Sequence, residues 1–286
     1  RCAASMRNVA ILGAGDLGAT LARRLAELEL ARRIVLVDPD DGRARGKALD
    51  LAQSGPVEPY DVVIEGAASL DLAGAVDLVA VADPPALDEE PLSPSRAAEW
   101  IAPVVARLGA ATLLVARSAG LSLLEAAVEH GAPRDRVLGS GPLAFAAAVR
   151  RRLAEELGVS ARETRALVLG APPAGAVVPR EGATVGGVPV ERLSPVALRR
   201  AVEGAARRSA GPVALAAAAA RVVAALAGAR AATLTVGAIL QGEYGHRGVA
   251  LAVPARIAAG RVQSVLEIPL DPVDRVALDN AAARPR

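Results

Sequence analysis

Short aliphatic runs alternate with longer amphipathic segments through the first half of the chain. The runs predict six strands, at Asn8–Leu12, Arg33–Val37, Asp61–Ile64, Val76–Val81, Ala111–Ala116 and Arg136–Leu138. The segments between them carry apolar residues at helical spacing and predict helices at Asp16–Leu28, Arg43–Gln53, Ser95–Leu108 and Leu121–Glu129. Strands that alternate with helices are typical of a doubly wound parallel sheet. We therefore predict an α/β domain over residues 6–141.

The second half of the chain has a different order of elements. They are extended runs at Thr164–Leu169, Ala176–Val178 and Gly182–Val185, helices at Ser194–Arg207 and Val213–Leu226, strands at Ala232–Leu240, Gly248–Pro254 and Val262–Ile268, and a final helix from Asp271. Grouped strands and grouped helices are typical of an α+β domain. We predict such a domain over residues 142–286, of the kind that binds substrate or joins subunits.

Composition narrows the class of protein. Of 286 residues, 52% are hydrophobic and 22% are charged, which is typical of a soluble globular chain. Aromatic residues make up only 1%, so the core must be aliphatic, and platforms for stacking nucleic-acid bases are not expected. The net charge is only +2. We expect no nucleic-acid partner.

The same composition bears on location in the cell. The single cysteine, Cys2, cannot form an internal disulfide, which is compatible with a reducing cytoplasm. No apolar run approaches the roughly 18 residues that a membrane helix needs. The longest candidate, GPVALAAAAARVVAALAG, is interrupted by Arg221. We expect a cytoplasmic protein with no membrane partner.

A glycine-rich turn follows the first predicted strand. In VAILGAGDLGATLARRL the glycines have G-x-G-x-x-G spacing between a strand and a helix. Amide groups at the start of that helix would face a pyrophosphate, because a helix N-terminus attracts anions. The predicted cofactor-binding residues of this loop are Gly13, Ala14, Gly15, Asp16, Leu17 and Gly18. The alternative is a turn with a purely structural role.

A carboxylate ends the second predicted strand. In RRIVLVDPD this residue is Asp38, twenty residues after Gly18. A carboxylate there can accept hydrogen bonds from both hydroxyls of an adenosine ribose and would repel a 2′-phosphate. The pattern predicts NAD rather than NADP as the cofactor. The alternative is that Asp38 only caps the turn.

Four longer stretches are similar to one family. They are GAGDLGATLARRLAELELARRIVLVDPDDGRARGKALDLAQSGPV, RLAEELGVS, LQGEYGHRGVALAVP and LEIPLD, and they resemble the malate/lactate dehydrogenase family, in particular its malate dehydrogenase branch. The resemblance covers nearly the whole chain. It implies a Rossmann domain followed by an α+β domain, and hydride transfer between NAD and a 2-hydroxy acid. It also implies cofactor contacts at Ala82, Val115 and Arg117, where predicted strands end.

The resemblance also locates the family's catalytic groups, and other residue types stand there in this chain. Aligned without gaps from ELGVS, the H-G-D motif of the proton donor and its aspartate falls on Pro172 and Ala174. The D-x-x-R helix, with its carboxylate and substrate-gripping arginine, falls on Phe145 and Ala148. The asparagine beside the nicotinamide becomes Arg117. We therefore predict no catalytic residue in this chain.

Two arginines and two histidines are the remaining candidates for substrate chemistry. Arg96, which ends an acidic, proline-rich loop, is placed like the family's carbonyl-polarising arginine. Arg150 begins a basic cluster, Arg150 to Arg152, on a helix expected to border the substrate pocket. The alternative for Arg150 is a solvated or subunit-facing surface. His130 and His246 fall at a helix end and a surface turn, which makes neither a good replacement acid. No Cys, His and Asp cluster has metal-ligand spacing, so no metal is expected.

Three hypotheses follow. The first is a malate dehydrogenase-like NAD-binding protein with a weak or inactive site, a pseudoenzyme acting as a nucleotide sensor or as a subunit. It would form a homo-oligomer or join an active paralogue, with the alanine-rich Val213–Leu226 helix as the candidate contact face. The second is an active NAD-dependent malate, 2-hydroxy acid or other dehydrogenase with a rebuilt site. The third is a scaffold that binds no nucleotide.

Overall fold

The computed structural model describes residues 6–58, 60–87, 92–208 and 210–283. The first half contains strands β1 (Met6–Leu12), β2 (Ala31–Val37), β3 (Val63–Ala67), β4 (Leu78–Val81), β5 (Thr112–Val115) and β6 (Val137–Gly139). Between them lie helices α1 (Asp16–Glu27), α2 (Asp41–Ser54), α3 (Pro94–Val105) and α4 (Leu121–Glu129). The six strands are parallel, in the order β3-β2-β1-β4-β5-β6. The predicted doubly wound sheet is confirmed.

The second half is the predicted mixture of helices and strands. Its elements are α5 (Gly141–Leu157), β7 (Thr164–Ala166), β8 (Leu169–Ala171), β9 (Gly175–Val177), β10 (Ala183–Val185), β11 (Val188–Pro189), α6 (Val190–Leu193), α7 (Pro195–Ala206), α8 (Pro212–Ala227), β12 (Ala232–Gln241), β13 (Arg247–Ala258), β14 (Arg261–Val265) and α9 (Pro272–Ala282). The predicted extended run Thr164–Leu169 divides between two strands of different sheets. There β7 joins a three-stranded sheet with β10 and β11, whereas β8 joins the main sheet. An apolar run shows that a segment is buried, but it does not show which sheet the segment enters.

Both faces of the parallel strands are covered by helices. Leu21 of α1 and Val223 of α8 belong to the cluster that also holds Ile34 of β2 on one face. On the other face, Ile101 of α3 and Leu124 of α4 pack in a second cluster. Strands buried on both sides need apolar residues at every position rather than at alternate ones. This explains why short aliphatic runs identified the inner strands, whereas the partly exposed edge strand β3 only overlaps its predicted run, Asp61–Ile64.

The alanine-rich helix α8 is mostly internal. Its buried residues face α1 and α5 of the same chain, since small side chains allow close helix packing. The exposed residues of this helix include Val213, Ala214, Ala217 and Arg221. Most of the helix predicted to contact another subunit is therefore covered by other parts of the same chain.

The main sheet continues across the predicted domain boundary. Strand β12 pairs antiparallel with β6 at Gly237 and Gly139, and β13, β8 and β9 follow on that side. In the described residues no helix combines the length and apolar character needed to cross a bilayer. Cys2 and residues 88–91 of the acidic loop lie outside the described residues.

Candidate functional site

The glycine-rich loop has the shape that its spacing predicts. It leaves β1 at Gly13, whose φ of 97° lies in the left-handed region that favours glycine. A Cβ on Gly18 would lie 1.9 Å from the carbonyl oxygen of Gly13, so α1 can begin this close to the loop only with glycine there. The loop therefore depends on two of its glycines for its backbone path. Asp16 starts α1 and is exposed.

Asp38 lies at the end of β2, beside this loop, but it is completely buried, with 0% of its surface exposed. One carboxylate oxygen accepts a hydrogen bond from the Ala14 amide at 3.0 Å, and the other accepts one from the Asp40 amide at 3.0 Å. The guanidinium of Arg43 lies 4.0 Å from the first oxygen. Asp38 thus fixes the glycine-rich loop to the end of β2. Its predicted role toward a ribose stays a prediction, because its side chain is shielded in this conformation.

A second carboxylate lies on the amides at the start of α1. Asp83 follows β4 by two residues, and its Oδ2 accepts a hydrogen bond from the Leu17 amide at 2.8 Å. Its Oδ1 accepts one from the Gly18 amide at 3.0 Å. A Cβ on Gly15 would lie 2.4 Å from Oδ2, so the carboxylate also lies directly against that glycine. The amides predicted to face a pyrophosphate therefore already hold an anionic group.

Arg117 positions the segment that carries Asp83. Its guanidinium donates hydrogen bonds to the carbonyl of Ala82 at 3.3 Å and to that of Leu87 at 2.6 Å. Ala82 and Val115, the other strand-end residues assigned to the cofactor, are buried. Arg117 therefore ties β5 to the loop after β4. Its guanidinium contacts this loop, and a cofactor contact by Arg117 stays a prediction.

A large cavity opens beside the glycine-rich loop, with a volume of about 580 Å³. This is within the usual range for a small-molecule site. Its lining residues are Leu12, Gly13, Val37, Pro39, Ala68, Ser69, Leu70, Asp71, Pro84, Pro85, Ala86, Arg96, Glu99, Trp100, Pro103, Val104 and Arg107. Val37 and Pro39 flank Asp38, so the cavity lies where the sequence predicts the adenosine half of a dinucleotide.

Two arginines line this large cavity: Arg96, in the first turn of α3, and Arg107, two residues after the helix ends. Arg96 donates to the carbonyl of Ala86 at 2.9 Å, which attaches the helix to the loop after β4. Arg107 forms an ion pair with Asp71 at 2.6 Å, and this hydrogen bond, with the charge of Asp71, raises the pKa of Arg107. Both cations therefore stand at the wall of the cavity. Sequence analysis identified Arg96 and missed Arg107.

A small cavity lies where the resemblance implies the reacting groups. Phe145, Ala148 and Pro172, the positions assigned to the family's carboxylate, arginine and proton donor, line it together. The other lining residues are Ser118, Gly141, Pro173, Ala205, Arg208 and Ala210. Its volume is about 20 Å³. That is room for a single water molecule, and the walls are mostly apolar.

The remaining candidates for substrate chemistry lie elsewhere. Arg150 donates to the carbonyls of Thr164 and Ala161, so it supports the start of β7 and does not line the small cavity. The His130 Nδ1 bonds the Ala126 carbonyl at 2.9 Å at the end of α4. The His246 Nε2 lies 2.9 Å from Asp279.

Neither histidine lines the small or the large cavity. Within the described ranges, no group of three His, Cys, Asp or Glu side chains is placed to hold a metal ion.

Asp83 is, after Arg107, the second site residue that sequence reasoning missed. The signal was present, because Asp83 follows a predicted strand within two residues, as the glycine-rich loop follows another. Strands β1 and β4 are neighbours in the sheet, so their carboxyl ends meet. What the pattern does not give is the direction of one side chain in the ADPPAL segment.

Comparison with known proteins identifies the family to which the chain belongs. The profile described as lactate/malate dehydrogenase, NAD binding domain, matches residues 7–85, and that of the alpha/beta C-terminal domain matches residues 146–284. The malate dehydrogenase of Thioalkalivibrio sulfidiphilus is 31% identical over 97% of this chain and 97% of its own. The chain belongs to the lactate/malate dehydrogenase family. This membership confirms the resemblance found in the sequence.

Other members of the family match over similar lengths. The malate dehydrogenase of Chlorobium phaeobacteroides is 32% identical over 96% of this chain and 95% of its own. The solved malate dehydrogenase of Salinibacter ruber has a TM-score of 0.86 and 28% identity, over 96% of this chain and 94% of its own. The minor L-lactate dehydrogenase of Enterococcus mundtii, at 22% identity and a TM-score of 0.84 over 96% and 95%, shares the fold. The chain is a malate dehydrogenase-like member of this oxidoreductase family, and its cofactor is NAD(H).

The cofactor fits part of this site in the conformation described. The glycine-rich loop and the large cavity have the backbone shape and the volume that a dinucleotide needs. The Asp83 carboxylate does not fit, because it occupies the amides that phosphates would use. For both phosphates to reach the Leu17 and Gly18 amides, Asp83 must move.

Proposed function

We propose that the chain is an NAD(H)-binding member of the malate dehydrogenase branch with little or no dehydrogenase turnover. NAD(H), when bound, supplies or accepts the hydride in this chemistry. The protein must then donate a proton to the carbonyl oxygen and hold the substrate carboxylate. The observation that carries the proposal is the small cavity, whose volume of about 20 Å³ leaves no room for a 2-hydroxy acid.

Three wall positions of the small cavity support the proposal chemically, although Ser118 and Arg208, which also line it, carry hydrogen-bond donors. Pro172, Phe145 and Ala148 have neither a titratable group nor a side-chain hydrogen-bond donor, so they cannot transfer a proton or pair with a carboxylate. Both histidines of the chain are placed elsewhere. The wall residues leave room for at most a single water molecule between them.

The corresponding biological role is a nucleotide-binding subunit or sensor in the cytoplasm. Such a protein would act as a homo-oligomer or beside an active paralogue. Measuring the mass of the purified chain, alone and mixed with the active paralogue from the same organism, tests this. A monomer under both conditions would contradict the subunit role.

The main test is oxaloacetate reduction at saturating NADH. Ordinary enzymes turn over at ~1–10³ s⁻¹, and loss of a cooperating catalytic set lowers the rate on the order of 10⁶-fold. We therefore expect turnover below about 10⁻³ s⁻¹. The malate dehydrogenase of Thioalkalivibrio sulfidiphilus, measured in the same buffer, is the positive control. Turnover in the ordinary range would instead favour an active dehydrogenase with a rebuilt site.

A further inference from the structure

We propose that Asp83 is an internal anion that competes with the phosphates of NAD(H) for the amides at the start of α1. The chain would then limit its own affinity for the dinucleotide. A ligand that fills only the large cavity and carries no phosphate would escape this competition. The inference rests on NAD(H) binding at this family site, but not on the absence of turnover.

The hydrogen bonds of Asp83 define the competition. Both of its carboxylate oxygens are used, at 2.8 Å from the Leu17 amide and 3.0 Å from the Gly18 amide. The first amides of a helix have no partner within the helix, and they favour an anion. A carboxylate and a phosphate satisfy the same donors with the same sign of charge. Both groups therefore cannot occupy these amides at once.

The segment around Asp83 is held on both sides. Before it, the Ala82 amide donates to the carbonyl of Leu12 at 2.9 Å, which continues the β1–β4 pairing. After it come Pro84 and Pro85, whose rings restrict the backbone. Arg117 joins the two ends through the carbonyls of Ala82 and Leu87. A carboxylate held this firmly loses little further conformational freedom when it bonds the amides, which makes it a strong competitor.

The large cavity supplies the contrast between ligands. Its wall includes Gly13, Pro84 and Trp100, and Asp83 is not a lining residue. An adenosine can enter it without reaching the Leu17 and Gly18 amides. NADH carries the same adenosine together with two phosphates. Asp83 should weaken the binding of NADH and leave that of adenosine unchanged.

The experiment compares the dissociation constants of NADH and adenosine, by isothermal titration calorimetry, for wild-type protein and two variants. D83A removes the carboxylate, and D83N keeps its shape without the charge. We expect NADH to bind D83A at least about tenfold more tightly, equivalent to about 1.4 kcal/mol. D83N should change in the same direction, and adenosine should change less than about twofold. The control is D50N, which removes one negative charge from an exposed position on α2.

The outcomes separate this inference from the proposed function. Equal or weaker NADH binding by both folded variants would overturn it, as would an equal gain for adenosine or for D50N. Absence of NADH binding in every protein would overturn it too. Should D83A fail to fold, D83N decides the question alone. Ordinary dehydrogenase turnover by the wild type would overturn the proposed function, and it would leave the comparison of dissociation constants intact.

Discussion

Replacing Asp38 by asparagine should destabilise the protein even when no nucleotide is present. The buried carboxylate accepts one backbone hydrogen bond on each oxygen, from Ala14 and from Asp40. An asparagine amide has one oxygen, so its NH₂ group must face one of these N–H donors. A buried donor without an acceptor destabilises by about 1–3 kcal/mol. With a shift of roughly 2–4 °C per kcal/mol for a chain of this size, Tm should fall by about 2–12 °C.

The assay is thermal unfolding of D38N and wild type without nucleotide, followed by circular dichroism. D38A leaves both amides without an acceptor, so its Tm should fall further than that of D38N. D50N, exposed on α2, loses the same charge and should keep the wild-type Tm within about 1 °C, as is usual for surface substitutions. An unchanged Tm for both Asp38 variants would refute the structural role. The predicted contact with the ribose would then be the remaining role for Asp38.

Two further predictions concern stability. G18A should prevent folding or lower Tm strongly, since its Cβ would lie 1.9 Å from the Gly13 carbonyl oxygen. The control is Gly46→Ala, whose Cβ would have nothing within 4 Å and which should be neutral or stabilising. Soluble expression and thermal melting of both variants test this. Burial raises the pKa of Tyr244, although the Ile268 amide donates to its hydroxyl and opposes this shift. Stability from the neutral phenol should therefore be complete below about pH 10 and decline as pH rises through the raised pKa. Measured as Tm from pH 8 to 11, this decline should be smaller in Y244F, and equal declines in the two proteins would contradict the pKa argument. At pH 8, Y244F should be less stable by about 1–3 kcal/mol, because the Ile268 amide loses its acceptor.

The strands and helices of the first half were predictable because the spacing of apolar residues along the chain matches the positions that each element buries. Strand β4 is buried at every position, with Asp77 directly before it and Asp83 two residues after it, so one aliphatic run marks it. Helix α1 begins after glycines and has a regular apolar stripe that includes Leu21 and Leu25. The local pattern and the final packing impose the same requirement on these residues.

The site was predictable only in part. Glycine spacing located the glycine-rich loop. The family resemblance pointed to Phe145, Ala148 and Pro172, and these three residues line one small cavity in the structure. It did not give the burial of Asp38 or the contact of Asp83 with α1. Both depend on which way a single side chain turns in a loop, and hydrophobic periodicity carries no information about that direction.

The packing of α8 on α1 and the pairing of β12 with β6 have a consequence for truncation. A fragment ending at residue 141 would keep all six parallel strands, yet it would uncover the apolar side of α1 and leave β6 as an open sheet edge. Exposed apolar faces and open edges promote aggregation. Separate expression of residues 6–141 should therefore yield insoluble material, so ligand measurements need residues of both halves of the chain.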